Sequence, residues 1–325
     1  MSLKVSGLEL QVPLSLVYGY ENSINPQERV FPMTETKPAP AVIRVAHSPD
    51  SDDAFMFWAL AHHKVDTEGL TFEHILTDIE TLNQEALKGT YELTAISYHA
   101  YAKLYDKYAL LNVGSSIGDK YGPVVIAKKP FTREELKQVT VAVPGEMTTA
   151  YLALKIWEPE LKTVVVPFDQ IMERVESGEF EAGLIIHEGQ LTYQKQGFTK
   201  VVDLGEWWFE ETNLTLPLGG NAIRLDLGDE MIQKIGRVLK RSIEHGLKHR
   251  DEALDYALQF ARGLDRDTAN EFVGMYVNEM TLDADSEIRK AVKLLLWRGF
   301  GIGVIPEKVE PAFVDVQPEL AGQAG

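Results

Sequence analysis

Residues 41–65 read AVIRVAHSPDSDDAFMFWALAHHKV, and this stretch contains the pattern that decides the fold. Its first six residues form a short apolar run with several β-branched side chains, which predicts a strand. The residues that follow place Phe55, Trp58 and Ala59 on one face of a predicted helix. A strand that leads directly into a helix is the repeating unit of an α/β fold.

The same alternation continues along the chain in two cycles. The first cycle ends with the apolar run GPVVIAKK at residues 122–129, and the second ends with EAGLIIHE at residues 181–188. Residues 201–224 are expected to contain two extended pieces, and the chain after Arg224 has a mainly helical pattern.

These patterns predict two lobes. Residues 42–128 and 224–310 form a discontinuous lobe I, because the late helices need a surface on which to bury their apolar faces. Residues 129–223 form an inserted lobe II, and two extended crossings join the lobes. Residues 1–40 are expected to be a flexible extension, and the last 20 residues are expected to be a loose tail.

The composition limits the class of partner. The 325-residue chain has a formal net charge of −17, which argues against nucleic acid or an anionic membrane as partner, because both require a basic surface. Cysteine is absent, which excludes disulfides and thiolate chemistry. No apolar run approaches the ~18 residues of a membrane span. Since residues 1–40 also lack the pattern of a secretory signal, we expect a cytoplasmic protein.

Candidate site residues follow the predicted strands, because ligands of open α/β sheets bind at the carboxyl ends of the strands. Ser48 lies in the loop after the first strand, and Ser97 lies where a later strand meets a helix. Thr148 and Thr149 begin another helix, where backbone N–H groups and two hydroxyls could bind an anion. The hydroxyls of Ser97, Thr148 and Thr149 could instead simply cap their helices.

His187 ends the apolar strand AGLII. A histidine at this place can serve as a general base, because its ordinary pKa is near physiological pH. The alternative is a structural histidine. Its neighbour Glu188 is not expected to pair with it directly, because consecutive strand residues point to opposite faces.

The three aspartates Asp50, Asp52 and Asp53 precede the first helix. Their spacing does not match a calcium loop of the EF-hand type, because Ala54 and Phe55 interrupt the pattern. Helix capping is the favoured interpretation, and direct contact with a substrate is the alternative. Signatures of nucleotide binding, zinc proteases and serine hydrolases are absent. The pair Trp207–Trp208 predicts either core packing or stacking on a flat ligand.

Eight stretches, in this order, resemble the 1,4-dihydroxy-6-naphthoate synthase family of menaquinone biosynthesis by the futalosine pathway. They are HSPDSDDAFMFWAL (47–60), DIETLNQEAL (78–87), ISYHAYAKL (96–104), GPVVIAK (122–128), VAVPGEMTTAY (141–151), AGLIIHEGQLTY (182–193), VVDLGEWW (201–208) and LPLGGNAIR (216–224). The resemblance implies a fold similar to type II periplasmic binding proteins, with a ligand cleft between two α/β lobes.

The resemblance also implies a lyase-type enzyme without a metal or redox cofactor. Its small-molecule substrate would be cyclic dehypoxanthine futalosine, with His187 as the proton-accepting base. The residues implied in substrate binding are Ser48, Asn83, Ala95, Ile96, Ser97, Thr148 and Thr149. A small-molecule binding protein and an enzyme similar to chorismate dehydratase are the alternatives on the same fold. The oligomeric state stays open.

Two departures from the family pattern lie at the predicted cleft. The first loop of the family more commonly reads Ser-Pro-Cys-Pro-Asn-Asp, and in this chain it contains Asp50, Ser51 and Asp52. Position 95 is alanine, where a lysine can occur in the family. Both departures make the mouth of the cleft more acidic.

Overall fold

The computed structural model describes residues 42–318, so the extension predicted over residues 1–40 lies outside the described residues. The strands are β1 Ile43–His47, β2 Phe72–Leu76, β3 Leu93–Ser97, β4 Tyr108–Leu111, β5 Ser116–Gly118, β6 Val124–Ala127, β7 Thr140–Val143, β8 Lys162–Val165, β9 Ala182–Ile185, β10 Thr199–Asp203, β11 Leu216–Arg224 and β12 Phe313–Val314.

The α-helices are α1 Ser51–Ala61, α2 Ile79–Leu87, α3 Tyr98–Tyr101, α4 Arg133–Leu136, α5 Thr149–Trp157, α6 Ile171–Glu176, α7 Gly189–Thr192, α8 Leu204–Thr212, α9 Asp229–Lys248, α10 Arg250–Ala257, α11 Arg266–Tyr276, α12 Glu279–Leu282 and α13 Ser286–Gly301. Short 3-10 turns lie at Phe168–Gln170, Leu225–Leu227 and Leu258–Phe260. No helix within residues 42–318 is long and apolar enough to cross a membrane.

Two sheets organise the chain. The first sheet has seven strands in the order β12-β4-β11-β3-β1-β2, and β5 pairs with β11 beside this path. The second has five strands in the order β10-β6-β9-β7-β8. In each sheet a parallel group, β2-β1-β3 or β8-β7-β9, ends at the sheet edge on one side and pairs with an antiparallel strand on the other. The carboxyl ends of the parallel strands therefore gather at one edge of each sheet.

Sheet membership differs from the predicted boundaries at two strands. Strand β6 pairs with β9 and β10 in the second sheet, although residues up to 128 were assigned to lobe I. Strand β11 pairs with β3 and β4 in the first sheet, although residues up to 223 were assigned to lobe II. The pattern of a short apolar run does not show which strand it will pair with. The sequence therefore could not predict the sheet to which β6 and β11 belong.

The segment around Trp207 and Trp208 is helical rather than wholly extended. The Asp203 carboxylate accepts hydrogen bonds from the N–H groups of Gly205 and Glu206 at 2.8 and 3.1 Å, which starts α8. Trp208 is fully buried, and its indole N–H donates to the Thr215 carbonyl at 3.1 Å. Trp208 is therefore a core residue, in agreement with one of the two interpretations.

The end of the chain is packed rather than loose as far as the structure describes it. Strand β12 pairs with β4, and the side chains of Val309, Val314 and Val316 are buried. The backbone N–H of Val316 also donates to Asn112 Oδ1 at 2.9 Å. Buried valines and a paired strand hold residues 309–316 on the first sheet.

Helix α1 packs under the late helices, because its residues from Ala54 to Ala61 are all apolar and need a surface on every side. The Ser242 hydroxyl of α9 donates to the Met56 carbonyl at 2.8 Å and accepts the Leu60 N–H at 3.2 Å. Gly246 allows the close approach, since a Cβ there would lie 3.2 Å from the Phe55 carbonyl oxygen. This packing fixes the start of α1, where the three aspartates lie.

Candidate functional site

A cavity with about 790 Å³ of empty space, part of it open to solvent, is lined by residues of both sheets. The first sheet and its loops contribute Ser48, Asp52, Asp53, Ala95, Ser97 and Asn221, among others. The loops of the second sheet contribute Thr148, Thr149 and Ile186, and helix α11 contributes Phe272 and Tyr276. The cavity lies at the carboxyl ends of β1, β3 and β9, where the strand rule places ligands.

Six of the seven residues implied in substrate binding line this cavity: Ser48, Ala95, Ile96, Ser97, Thr148 and Thr149. The seventh, Asn83, lies behind the cavity wall and is fully buried. Its Nδ2 donates to Ser97 Oγ at 3.0 Å, and its Oδ1 accepts the Ser97 N–H at 2.9 Å. Asn83 therefore orients Ser97 from outside the cavity.

The two threonines at the start of α5 differ in their free hydrogen-bonding capacity. The Thr148 hydroxyl donates to the Gly145 carbonyl at 2.8 Å and accepts the Tyr151 N–H at 3.1 Å, so it is a helix cap. The Thr149 hydroxyl accepts the His99 N–H at 3.1 Å. Its proton is not used in that bond, so Thr149 can donate a hydrogen bond to a ligand.

The three aspartates have three different environments. Asp50 occupies the N-cap position of α1, but its carboxylate makes no capping bond and instead pairs with Arg262 Nη2 at 2.6 Å. Asp53 Oδ2 accepts the Ser48 N–H at 2.7 Å, and burial raises the pKa of Asp53 to about 6. Burial and the nearby charges of Asp53 and Asp50 raise the pKa of Asp52 well above its usual range.

The capping interpretation is thus wrong for the Asp50 side chain, which binds a distant arginine instead of the α1 N–H groups. Within residues 42–318, no group of three or more histidine, aspartate or glutamate side chains is arranged to hold a metal ion.

His187 follows β9; its neighbour Ile186 lines the cavity, but His187 itself is not among the described lining residues. The Gly189 N–H donates to His187 Nδ1 at 2.9 Å. Burial lowers the pKa of His187, although the nearby carboxylate of Glu188 acts in the opposite direction. The ring is therefore held in its neutral form, with its proton on Nε2. His187 Nε2 is buried and has no hydrogen-bond partner within the described chain.

Glu188 does not pair with His187. Its two carboxylate oxygens accept hydrogen bonds from Arg262 Nη1 at 2.8 and 3.0 Å. This arrangement agrees with the expectation that consecutive residues at the end of a strand point in different directions.

Sequence reasoning missed Asn221 and Tyr276 in the cavity wall. Asn221, on β11, lies directly opposite Ala95 of β3. Its Nδ2 donates to the Gly114 carbonyl at 3.0 Å. Its Oδ1 is buried and has no hydrogen-bond partner in the described chain. Tyr276 donates its hydroxyl proton to Gln190 Oε1 at 2.7 Å. An asparagine inside the apolar strand LPLGGNAIR was the available signal for Asn221.

Two α/β sheets with a cavity between their strand ends define the periplasmic-binding-protein-like fold, which confirms the predicted fold class. The alkanesulfonate-binding protein of Xanthomonas axonopodis pv. citri, whose structure contains bound MOPS, superposes with a TM-score of 0.65 at 12% identity. That superposition covers 86% of this chain and 100% of the other. At this identity the similarity concerns the fold alone.

The model of the menaquinone biosynthesis family matches residues 43–300, and this chain belongs to that family. A 1,4-dihydroxy-6-naphthoate synthase of Thermus thermophilus is 40% identical over 272 residues, which are 84% of this chain and 99% of the relative. The enzyme of the same name from Streptomyces coelicolor is 33% identical over 270 residues, or 81% and 95% of the two chains. A crystal structure of an Archaeoglobus fulgidus protein is 48% identical, with a TM-score of 0.79 over 81% of this chain and 98% of the other.

Proposed function

We propose that this chain is a 1,4-dihydroxy-6-naphthoate synthase that acts on cyclic dehypoxanthine futalosine as a lyase in the cytoplasm. The observation that carries the proposal is the convergence of six of the resemblance residues on one cavity, in a chain that aligns with nearly the whole Thermus synthase. The residues come from separate segments of the sequence, and the two sheets bring them to the same space.

The polar groups of the cavity suit a ligand that carries a carboxylate. The Thr149 hydroxyl can donate to an oxygen, and the start of α5 adds the positive end of a helix dipole. Lysine, arginine and histidine are absent from the described lining residues, so the anion would be held by neutral donors. Asp50, Asp52 and Asp53 also line the cavity; burial raises the pKa values of Asp52 and Asp53, which reduces the repulsion of such an anion by these two carboxyls.

His187 is the residue we assign to proton transfer. A lowered pKa keeps the imidazole neutral, which is the state that a base requires. The hydrogen bond from Gly189 occupies the lone pair of Nδ1, so proton acceptance at Nδ1 requires that bond to open. Before that step, the Nε2–H group can donate to an oxygen of the substrate. Removal of the substrate proton would then trigger cleavage of the sugar-derived ring and aromatisation.

The test is a product assay with the purified full-length protein. Incubation with cyclic dehypoxanthine futalosine, without added metal or redox cofactor, is expected to release 1,4-dihydroxy-6-naphthoate, detected by chromatography and mass spectrometry. Binding of the substrate without product would instead support a binding protein on this fold. Product from chorismate, and none from the futalosine compound, would support a dehydratase.

A further inference from the structure

Arg262 joins two loops that belong to different sheets. Its Nη2 contacts Asp50 Oδ1 at 2.6 Å, in the loop between β1 of the first sheet and α1. Its Nη1 contacts both oxygens of Glu188 at 2.8 and 3.0 Å, in the turn after β9 of the second sheet. One guanidinium therefore connects the loop that departs from the family pattern with the turn that contains His187.

The ion pair between Arg262 and Glu188 is shielded from solvent on the glutamate side. Glu188 is buried, with 3% of its surface exposed, whereas the Arg262 side chain is about one-third exposed. A buried carboxylate needs a partner that is charged or donates hydrogen bonds, and Arg262 supplies both, with Nη1 contacting both carboxylate oxygens. Loss of Arg262 would leave Glu188 buried beside His187 without that compensation.

Arg262 also packs against the surroundings of His187. Its guanidinium lies over the Phe168 ring, 4.9 Å from the ring centroid. The same ring meets the His187 ring edge-to-face at a centroid distance of 5.9 Å. Phe168 thus contacts both Arg262 and His187, so the arginine and the imidazole share one packing partner.

The backbone of Arg262 adopts an uncommon conformation. Arg262 has φ +46°, in the left-handed region that a residue with a side chain seldom adopts, and the next residue, Gly263, has φ +80°. A glycine would relieve the first conformation at no steric cost. Four other residues with side chains also adopt positive φ in the described chain, so this backbone conformation is compatible with the tie and does not by itself require it.

Arg262 supplies the positive charge among the charged groups that act on His187. The described charged groups that act on the imidazole are the carboxylates of Glu188, Asp50 and Asp169 and the guanidinium of Arg262. The three anions favour the imidazolium form, and the one cation in this group opposes them.

We propose that Arg262 is a positioning residue: through Asp50 and Glu188 it ties the two loops together and holds the turn that contains His187 in place. Its consequence for catalysis rests on the proposed function, whereas the tie itself and the charge state of His187 do not. Asp50 has a role in this arrangement as well. The first loop differs from the family pattern at this position, and the aspartate found here is a partner of Arg262.

The experiment is an NMR titration of the His187 ring in the full-length chain, with the signal assigned by its loss in His187→Gln. Arg262→Gln is expected to raise the pKa of His187 by about one pH unit, because an adjacent cation is removed. Glu188→Gln is expected to lower it, because an adjacent anion is removed. Arg262→Lys retains the charge and should keep the pKa close to that of the unmodified protein.

The matched control is Arg266→Gln. Arg266 also joins two aspartates, Asp251 and Asp255, but it is not among the charged groups that act on His187, so this variant should leave the titration unchanged. Equal pKa values in Arg262→Gln, Glu188→Gln and the unmodified protein would overturn the inference. If Arg262→Gln does not fold, the Glu188→Gln and Arg262→Lys titrations decide the question.

Kinetics give the second readout. If the product assay succeeds, the acidic limb of the kcat/KM profile should move to higher pH in Arg262→Gln by the same amount as the titration. An active protein with an unshifted limb contradicts the positioning role. If the product assay fails while the titration shifts as expected, the proposed function is wrong and the tie between the loops stands.

Discussion

The backbone N–H of Gly189 donates a hydrogen bond to Nδ1 of His187, two residues earlier in the chain, at 2.9 Å. A neutral imidazole has one donor and one acceptor nitrogen, so this bond assigns the proton to Nε2. Nε2 is buried and has no hydrogen-bond partner among residues 42–318, so the bond from Gly189 is the contact that orients the ring. Glycine is needed at position 189, since a Cβ would lie 2.6 Å from His187 Cε1.

Replacement of His187 tests whether it transfers a proton or only donates a hydrogen bond. His187→Ala and His187→Gln are both expected to lower kcat by about 10²- to 10⁴-fold, because neither side chain can accept a proton at neutral pH. Single-turnover rates would measure this effect. If His187→Gln retains most of the activity while His187→Ala does not, the residue acts as a donor and the base is another group.

Thr149 is expected to contact the substrate directly. Thr149→Val nearly preserves the shape of the side chain but removes the hydroxyl, and with it both the proton available to a ligand and the acceptor of the His99 N–H, so KM should rise about tenfold. Thr149→Ser should restore most of the affinity.

The control is Thr148→Val, because the Thr148 hydroxyl caps α5 and both its hydrogen bonds are made within the protein. That variant should lose about 1 kcal/mol of stability. An unchanged KM in Thr149→Val would remove this residue from the binding site.

Asn83 is expected to act on substrate binding through Ser97. Asn83→Ala removes the partners of the Ser97 N–H and hydroxyl, which should cost about 2 kcal/mol of stability and also raise KM. Asn112 is a matched control, because it is buried and bonded to Asp283 and Val316 away from the cavity. Asn112→Ala should reduce the melting temperature with an unchanged KM. The same KM for both variants would show that Asn83 is purely structural.

Asp53 should make stability depend on pH in an uncommon direction. Its pKa is about 6 in the folded protein and 3.8 ordinarily, so the folded state binds the proton more tightly. The stabilisation of the folded state by protonated Asp53 is complete below about pH 3.8 and is lost as the pH rises to about 6. The Tm of the unmodified protein should therefore fall relative to that of Asp53→Asn between pH 4 and pH 7.

The control for this pH dependence is Asp265→Asn. Asp265 caps α11, and hydrogen bonds from Thr268 lower its pKa below 3.8. Its contribution is present above that value and is lost as the pH falls, so the corresponding Tm difference should stay constant between pH 4 and pH 7. A Tm difference for Asp53→Asn that is flat over the same range would mean that Asp53 is ionised when buried.

Much of the fold and of the cavity wall could be predicted from the sequence. The strand–helix alternation around residues 41–65 is a local property, because it depends on side-chain spacing within one element. The positions of Ser48, Ser97 and Thr149 followed from a general rule, since the carboxyl ends of neighbouring parallel strands meet at one edge of a sheet. His187 was located at the end of its strand by the same rule.

Tertiary structure alone decided the rest. The sheet to which β6 and β11 belong depends on pairing between distant strands, which no local pattern encodes. Arg262 and Asp50 are 212 residues apart, and their contact exists because α1 and the late helices pack together. The sequence by itself determined which elements form and which residues end them. Which loops meet across the cavity depended on long-range packing, because hydrophobic burial is not directional and only the assembled fold selects the partners.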